Sequence, residues 1–384
     1  MASQRRAVVL IVARDVRHEV LVDPWGAVLV DDYVRVMERF GLEPFTDELL
    51  KALPSPNKLM RRRVVFCHRD LWVIADAIRR REPFYVLTGI MPSAPKIHLG
   101  TRMVIENFRY FQEAGATEAF LLVADVEAVA TRGITLQEAR RRALEFHIPA
   151  WLAMGIDPDR TKFYFQSENR TVLRLASCFS GRVTMAQMEA IYGEVTPGKV
   201  IAALLDAADV LYPQTRLPGA PGVIPVGIDQ DPHMRLMRDI VHRTKAEFGF
   251  RPPASVYHKF TPSLDGSLKM SKSVPESCIE IPEDPGSVER KIWKALTGGR
   301  GSLAEQRAKG GQPEKCVVFE LFKQHLIEDD RELDRIYEEC RSGARICGEC
   351  KTYATELMVE LMEAFQARME EARAIVKELE FIRE

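Results

Sequence analysis

The chain has 384 residues and a formal net charge of -1. This length suggests two or three domains, since a domain usually has about 100–200 residues. The nearly neutral charge excludes a protein that is basic overall, although local patches of Lys and Arg can still bind RNA. No apolar run approaches the ~18 residues of a membrane span, so we expect a cytoplasmic protein with no membrane partner.

The first 80 residues mix short apolar runs with helical patterns. Within them, a turn signal between two apolar runs stands at Val22-Asp23-Pro24-Trp25-Gly26. A turn of this composition between apolar runs predicts a β-hairpin, here over residues 16–28. We therefore expect an N-terminal extension over residues 1–80.

From residue 81 onward, short apolar runs alternate with longer helical patterns. Buried strands are predicted at residues 84–87, 119–124, 162–166 and 223–226, and helices at residues 101–114 and 135–155. This alternation is typical of an α/β fold with a parallel sheet. We expect a Rossmann-like domain over residues 81–278.

After residue 278 the pattern changes to helical periodicity throughout. The predicted helices cover residues 287–296, 317–327, 330–340 and 350–380. Two glycine pairs, Gly298-Gly299 and Gly310-Gly311, separate them. A run of 3.6-residue periodicity of this length predicts an all-helical C-terminal domain over residues 279–384.

One loop between the first buried strand and a long helix is a candidate for binding phosphate. It runs from Thr88 to Thr101 and contains the string His98-Leu99-Gly100. At the carboxyl edge of a parallel sheet, backbone N–H groups and the helix dipole favour phosphate. Gly89 and Gly100 allow close approach, and His98 and Thr101 can donate to phosphate oxygens. Taken alone, His98 is as readily explained as a helix cap.

A second candidate is the string Lys269-Met270-Ser271-Lys272-Ser273, which follows a glycine-containing loop just before the helical region. Two lysines in a small loop can neutralise a triphosphate. They help most as charge develops on a leaving pyrophosphate, which is stabilisation of the transition state. A Lys-Ser loop alone is a weak signal, but this string after an α/β domain that carries His98 is a strong one.

Together the two strings resemble the signatures of class I aminoacyl-tRNA synthetases, with Thr101 in place of the second His of the first signature. The segment Val223 to Pro232, the segment Val22 to Trp25 and Phe66-Cys67-His68-Arg69-Asp70 are similar to the tryptophanyl enzymes of archaea and eukaryotes. The resemblance covers nearly the whole chain from about residue 20. It implies that residues 81–278 form the catalytic domain and residues 279–384 an anticodon-binding domain.

The resemblance also implies roles for individual residues. The implied catalytic residues are His98, Thr101, Lys269, Ser271 and Lys272. The implied ATP-binding residues are Gly89, Pro92, Ser93, Gly100, Gly227, Asp229 (at the ribose) and Met270. The implied amino-acid-binding residues are Glu127 and Gln230 at the ammonium group, with Leu87, Leu122 and Asp209 around the side chain.

The side-chain pocket departs from the archaeal and eukaryotic pattern. Leu87 stands where that branch usually has Tyr, and Leu122 where it has Gln. In compensation, Asp206 to Leu211 resembles the bacterial tryptophanyl segment, whose Asp accepts the indole N–H. Asp209 fits that role, and a helix-turn carboxylate without a substrate role is the alternative.

The resemblance implies ATP-dependent activation of tryptophan, with Mg²⁺, followed by transfer of the tryptophanyl group to tRNA(Trp). It also implies that the enzyme is a homodimer. Three alternatives remain at this point. A non-enzymatic RNA-binding relative would be expected to lose the signature lysines, and this chain keeps both. A tyrosyl-tRNA synthetase shares the fold and both signatures, although Leu87 gives the phenol no second partner. Another adenylate-forming nucleotidyltransferase would leave the helical domain unexplained.

The seven cysteines do not form a recognisable pattern in the sequence. Cys340, Cys347 and Cys350 are clustered, but a closed zinc site needs four ligands and no other Cys or His is close in sequence. A disulfide within the cluster is an alternative. We expect free thiols and no bound metal.

Overall fold

The computed structural model describes residues 33–267, 269–270 and 274–384. The hairpin predicted at residues 16–28 lies outside the described residues. The strands of the described part are β1 (Glu43–Pro44), β2 (Val65–Arg69), β3 (Tyr85–Ile90), β4 (Ile97–His98), β5 (Glu118–Val123), β6 (Thr161–Phe165), β7 (Gly222–Gly227), β8 (Ala254–His258), β9 (Glu280–Ile281) and β10 (Phe381–Ile382).

The α-helices fill most of the remaining chain. In the described part they are α1 (Tyr33–Phe40), α2 (Asp47–Ala52), α3 (Lys58–Arg61), α4 (Leu71–Arg80), α5 (Leu99–Glu113), α6 (Asp125–Arg132), α7 (Leu136–Arg142), α8 (Ile148–Ala153), α9 (Arg170–Ser180), α10 (Met185–Tyr192), α11 (Pro197–Leu211), α12 (Pro213–Arg216), α13 (Asp231–Phe248), α14 (Pro285–Lys294), α15 (Leu303–Lys309), α16 (Val317–Leu321), α17 (Asp330–Ser342) and α18 (Cys347–Val376). Two π-helical stretches, Ala143–His147 and Phe322–Leu326, continue α7 and α16.

Eight strands form one sheet in the order β1-β2-β8-β7-β3-β5-β6-β10. Six neighbouring strands of this sheet, in the order β8-β7-β3-β5-β6-β10, are parallel to one another. Strand β2 is antiparallel to both of its neighbours, β8 and β1. From β3 the chain adds β5 and β6 on one side, then β7 and β8 on the other. The strand order therefore reverses between β3 and β7, and ligands of doubly wound sheets bind at such a switch point.

The sheet is buried on both faces because successive strand residues enter two separate cores. Val86 and Leu121 belong to the core that α5, α8 and α18 cover. Leu87 and Phe120, their neighbours in sequence, belong to the core that α11 and α13 cover. Side chains alternate between faces along a strand, so apolar residues at consecutive positions are what a sheet covered on both sides requires.

The fold class predicted from the sequence is confirmed. The four predicted strands correspond to β3, β5, β6 and β7, and the predicted helix at residues 101–114 corresponds to α5. Strands β2 and β8 were not predicted, and they extend the sheet by an antiparallel pair. Polar residues such as His68 and Ser255 interrupt their apolar pattern, although both are buried.

The C-terminal part is helical, as expected, apart from the short strands β9 and β10. β10 adds a parallel strand beside β6 at the edge of the main sheet. Its Phe381 ring packs against Phe163 and Phe165, and α18 lies along α8 on the way there. A two-residue strand has no periodicity to detect in a sequence. β10 pairs with β6 only because α18 brings the end of the chain back to the edge of the main sheet. The division at residues 80 and 278 stays a prediction.

Candidate active site

The switch point of the sheet opens into a cavity. Strands β3 and β7 pair only at Tyr85–Gly222 and Val86–Val223, although both continue for several residues beyond. Their carboxyl ends therefore separate. The resulting cavity has a volume of about 350 Å³ and is lined by residues from both strands and from the loops that follow them.

Most of the residues implied by the resemblance line this cavity. Those that do are Leu87, Gly89, Ser93, His98, Gly100, Thr101, Leu122, Glu127, Gly227, Asp229, Gln230, Lys269 and Met270. Pro92 and Asp209 do not line it. Ser271 and Lys272 lie outside the described residues, so their roles stay predictions.

His98 caps helix α5 at the edge of the cavity. Its Nδ1 accepts a hydrogen bond from the Gly100 backbone N–H at 3.0 Å. In a neutral imidazole this places the proton on Nε2, which can then act as a donor. Gly100 is required here, because a Cβ would lie 2.8 Å from the His98 ring. His98 is thus both the capping residue and a candidate phosphate ligand.

The described part of the lysine loop reaches the same cavity from the opposite side. The Met270 backbone N–H donates to the Thr261 carbonyl at 2.9 Å, and the Met270 side chain is buried. Lys269 Nζ lies 2.8 Å from Asp229 Oδ2 and 4.7 Å from the centre of the Phe260 ring. The predicted phosphate-binding cation and the predicted ribose ligand are therefore bound to each other.

A second, two-stranded sheet holds the two loops together. Strand β4 precedes helix α5, and strand β9 follows the lysine loop. They pair antiparallel, with Ile97 opposite Ile281 and His98 opposite Glu280. Lys96 and Glu280 add an ion pair at 3.6 Å. His98 of the first signature is thus paired through its main chain with a strand that begins seven residues after the lysine string ends.

Gly227 fixes the position of Asp229. It ends β7, and a short 3₁₀ turn at Ile228–Gln230 carries the chain into α13. A Cβ on Gly227 would lie 2.4 Å from Asp229 Oδ1. Only glycine therefore lets the Asp229 carboxylate fold back over the strand end toward Lys269.

Leu87 and Leu122 form an apolar wall of the cavity. They lie on adjacent strands and are 2% and 4% exposed. A Cβ on Gly89 would meet the Leu122 side chain at 3.3 Å. An aromatic side chain against this wall would be well desolvated, so the wall suits the side chain of the substrate.

The structure places Asp209 fully buried and outside the lining of the cavity, and its expected place at the indole ring stays a prediction. Its carboxylate accepts hydrogen bonds from the Tyr164 hydroxyl at 3.0 Å and the Gln166 amide at 2.5 Å. Burial raises the pKa of Asp209 well above its ordinary value. Gln166 in turn accepts from the backbone N–H of Glu127 at 3.2 Å. Asp209 therefore supports the wall and is satisfied by protein donors.

Asp206, one helical turn earlier in α11, lines the cavity in its place. Its Oδ2 lies 3.5 Å from Nδ1 of His233, which also contacts the Tyr192 hydroxyl at 3.0 Å. Burial raises the pKa of Asp206 to about 7. No sequence pattern distinguishes Asp206 from Asp209, because both acids stand in the same apolar helix.

Three histidines that were not predicted from the sequence also line the cavity: His147, His233 and His258. The pKa of His258 is lowered, mainly by burial, although its hydrogen bond with the Lys259 carbonyl acts in the opposite direction. His147 Nε2 lies 2.7 Å from the Ala94 carbonyl, in the loop before His98. Each of these histidines stands alone in the sequence, so no spacing signal was available.

The seven cysteines are free thiols, and no disulfide joins the cluster. Burial raises the pKa of Cys340 and of Cys350, and the charge of Cys316 raises both further, so this fourth cysteine lies in the same region. Across residues 33–267, 269–270 and 274–384, no three His, Cys, Asp or Glu side chains converge on one metal ion. In the same residues no helix is long and apolar enough to cross a membrane.

The chain resembles proteins of known function along most of its length. A family model described as tRNA synthetases class I (W and Y) matches residues 79–363. The tryptophan--tRNA ligase of Aeropyrum pernix is 45% identical over 93% of this chain and 97% of its own length. That of Hyperthermus butylicus is 43% identical over 93% and 96%.

Solved structures agree with the sequence comparison. The tryptophanyl-tRNA synthetase of Aeropyrum pernix K1 superposes with a TM-score of 0.85 at 44% identity, over 93% of this chain and 98% of the other. The Plasmodium falciparum enzyme gives a TM-score of 0.80 at 25% identity, over 89% and 96%. The chain therefore belongs to the class I aminoacyl-tRNA synthetases of the W and Y family and, within it, to the archaeal-type tryptophan--tRNA ligases.

Proposed function

We propose that this chain uses ATP to convert tryptophan to tryptophanyl-adenylate and then transfers the tryptophanyl group to tRNA(Trp). The observation that carries the proposal is the cavity at the switch point, which is lined both by His98 at the start of α5 and by Lys269 of the lysine loop. Relatives that share 45% and 43% of their residues with this chain are tryptophan--tRNA ligases.

ATP occupies the end of the cavity nearest α5. The N-terminus of this helix supplies backbone N–H groups and a positive dipole for the phosphates. Asp229 binds the ribose, and His98, Thr101 and Lys269 bind phosphate oxygens together with the predicted Lys272. Mg²⁺ enters with the nucleotide, since it is usually held by substrate phosphates and water with few protein ligands.

Tryptophan occupies the other end, with its indole ring against Leu87 and Leu122. Its ammonium group meets Asp206, Glu127 and Gln230, which all line the cavity. An ionised Asp or Glu beside an amide oxygen suits a cation better than a neutral ring N–H. We therefore assign Asp206 to the ammonium group and give Asp209 a supporting role behind the wall.

The reaction has two steps. A carboxylate oxygen of tryptophan attacks the α-phosphorus of ATP, the bond to the bridging oxygen breaks, and pyrophosphate leaves. A terminal ribose hydroxyl of the tRNA then attacks the carbonyl carbon of the adenylate, and AMP leaves with the bonding electrons. Positioning and charge stabilisation supply the rate, and no covalent enzyme intermediate is required.

ATP–pyrophosphate exchange with each of the twenty amino acids tests the proposal. We expect exchange with tryptophan only, followed by charging of tRNA(Trp). Preference for tyrosine would replace the proposal by a tyrosyl enzyme. Exchange without tRNA charging would indicate a nucleotidyltransferase that makes a small-molecule adenylate.

We further propose a homodimer that works in the cytoplasm, where proteins are synthesised. The family resemblance supports both statements. Light scattering of the purified chain measures the mass directly. A mass that stays at the monomer value of 43.6 kDa over the working concentration range would contradict the dimer.

A further inference from the structure

A second cavity lies against helix α5 and is lined by residues of α3, α5 and α18. Its volume is about 340 Å³, close to that of the cavity at the switch point. Helix α5 contributes to both cavities, since Thr101 lines the one at the switch point and Arg102, the next residue, lines the second. The two-step reaction proposed above gives the second cavity no role.

The lining of the second cavity carries an excess of positive charge. Its cations are Lys58, Arg61, Arg102, Arg109 and Arg368, and its carboxylates are Glu106, Glu113 and Glu328. Arg61 has a further partner outside the lining, Asp330, but Asp330 also pairs with Arg62. Counting Arg62 and Asp330 with the lining therefore leaves the excess of cations unchanged, and this region favours a ligand of negative charge.

Two of the three carboxylates are used by one buried lysine. Lys58 Nζ pairs with Glu328 and lies 3.4 Å from Glu106 Oε2, and the Lys58 side chain is 1% exposed. The third carboxylate, Glu113, pairs with Arg109 at 3.2 Å. The acids of the cavity are thus already occupied by two of its cations.

Two arginines of the lining are left without such a partner. In the described part of the chain, neither Arg102 nor Arg368 forms an ion pair with a carboxylate. Burial lowers the pKa of Arg102, and the charges of Arg109 and Arg368 lower it further, although Glu106 and Glu328 act in the opposite direction. The guanidinium groups therefore repel one another across the cavity, and an anion between them would relieve this repulsion.

Both of these arginines are held in place by backbone carbonyls. Arg102 Nη1 donates to the His325 carbonyl at 2.6 Å, and Arg368 Nε donates to the Ala364 carbonyl at 3.1 Å. Within the residues that the structure describes, their remaining N–H groups make no other hydrogen bond to protein. These donors are available to a ligand, and groups that are already positioned lose less entropy on binding.

We propose that the second cavity binds a compact free anion that carries phosphate groups, of the size of inorganic phosphate or pyrophosphate. Guanidinium groups match phosphate oxygens in charge and geometry, and an anion with two or more charges balances the excess of cations. A recess whose lysine is almost fully buried suits a free anion better than the backbone of a folded RNA. The proposal does not depend on the activity assigned to the cavity at the switch point.

The first experiment titrates the full chain with pyrophosphate by calorimetry, without phosphate buffer or divalent cations. Saturating ATP without tryptophan fills the phosphate positions at the switch point while no adenylate can form. We expect about one pyrophosphate to bind per chain under these conditions, in the single cavity that ATP leaves open, with a Kd below about 1 mM. No binding in the presence of ATP would overturn the proposal.

Substitutions of opposite charge effect then locate the site. Arg368→Gln should weaken pyrophosphate binding at least about tenfold, as expected for a lost charge-assisted hydrogen bond. Glu113→Gln should strengthen it about twofold or more, because Glu113 competes for Arg109 at an exposed position. Arg373→Gln is the matched control, since this arginine also lies in α18 but outside the lining, and it should bind as the wild type does.

Circular dichroism checks that each variant folds, and tryptophan activation should stay at the wild-type rate in all three. Unchanged pyrophosphate binding in both Arg368→Gln and Glu113→Gln would place the anion elsewhere and overturn the assignment. The KM for tRNA(Trp) identifies the rival ligand. If Arg368→Gln raised this KM while the wild type bound no pyrophosphate, the cations would serve the RNA backbone and the proposal of a free anion would be wrong.

Discussion

At the scale of single residues, the candidate site depends on which of two neighbouring acids faces the substrate. Asp206 and Asp209 are three positions apart in α11, yet one lines the cavity and the other accepts two internal hydrogen bonds. One is available to a ligand, and the other is occupied by Tyr164 and Gln166. The two acids should therefore respond differently to the same substitution.

We predict that Asp206→Asn raises the KM for tryptophan at least about tenfold, because a charge-assisted hydrogen bond to the ammonium contributes roughly 1.5–3 kcal/mol. In the wild type, KM should fall as pH rises through about 7, since burial raises the pKa of Asp206 to about 7 and the carboxylate forms only above it. In Asp206→Asn this pH dependence should disappear. Steady-state exchange kinetics between pH 6 and pH 8 would check it.

Folding stability should change with pH in the opposite sense. The pKa of Asp206 is raised from 3.8 to about 7 on folding, so the folded state binds this proton more tightly. The resulting stabilisation is present at low pH and is lost as pH rises through about 7. Asp209→Asn is the comparison, because its main effect should be on the free energy of unfolding and its effect on the KM for tryptophan should be smaller. A larger KM effect at Asp209 than at Asp206 would restore Asp209 as the substrate ligand.

His98 allows capping to be separated from catalysis. We predict that His98→Ala lowers the free energy of unfolding by about 0.5–2 kcal/mol, the contribution of a helix cap, and slows adenylate formation by about 10²-fold through loss of a phosphate donor. His98→Asn restores a good cap but not the Nε2 donor. Its stability should match the wild type while activation stays slow, as measured by urea unfolding and pre-steady-state kinetics. Normal activation in His98→Asn would make His98 a structural residue only.

At the scale of elements, the pairing of β4 with β9 joins the segment before α5 to the segment that follows the lysine loop. His98 and Lys269 line the same cavity, and a cation that acts on the phosphates should affect the chemical step and not tryptophan binding. Lys269 is the described residue that tests this.

We predict that Lys269→Ala slows adenylate formation by about 10²-fold, as expected for loss of one transition-state contact. Tryptophan binding measured without ATP should hardly change. Lys96→Ala removes the same charge from the neighbouring loop, outside the cavity lining, and should have little effect. A Lys269→Ala enzyme with an unchanged rate of activation would show that the loop does not act on the phosphates.

At the scale of the whole molecule, the last strand joins the helical region to the catalytic sheet. β10 pairs with β6, and the Glu384 backbone carbonyl accepts from the Thr171 N–H of α9 at 3.1 Å. Its side chain accepts from the Tyr212 hydroxyl at 3.3 Å. The helical part is thus attached at both of its ends, once at β9 and once at β10.

We predict that removal of residues 381–384 lowers the free energy of unfolding by about 1–2 kcal/mol, since full burial of a Phe side chain contributes about 1.5–3 kcal/mol and Phe381 is half-buried. Urea unfolding of the truncated chain measures it. Arg383→Ala is the control, because its exposed ion pair with Glu168 should contribute at most about 1 kcal/mol. An unchanged midpoint after truncation would mean that β10 does not stabilise the molecule.

The sequence predicted those parts of the fold and site whose signal is local. Strand β5 is apolar at every position after Glu118, and the loop ending at Thr101 and the lysine loop are contiguous strings. The parts it did not predict depend on distant segments. Strand β10 exists only beside β6, and Cys316 joins the other cysteines only after α16 and α17 fold back. The choice between Asp206 and Asp209 depends on the rotation of α11 about its axis, which a uniformly apolar helix does not reveal.

The ion pair between Lys269 and Asp229 affects how ATP binds. Before ATP arrives, the cation and the ribose ligand neutralise each other at 2.8 Å, so neither attracts other anions or cations strongly. The nucleotide must exchange this internal contact for two contacts with itself, which weakens its ground-state binding. Lys269 then becomes available as charge builds on the departing pyrophosphate, where binding energy accelerates the reaction. In the resting enzyme the internal ion pair therefore competes with ATP for both side chains. Higher ionic strength screens such a partly exposed pair and should make it easier for ATP to replace it.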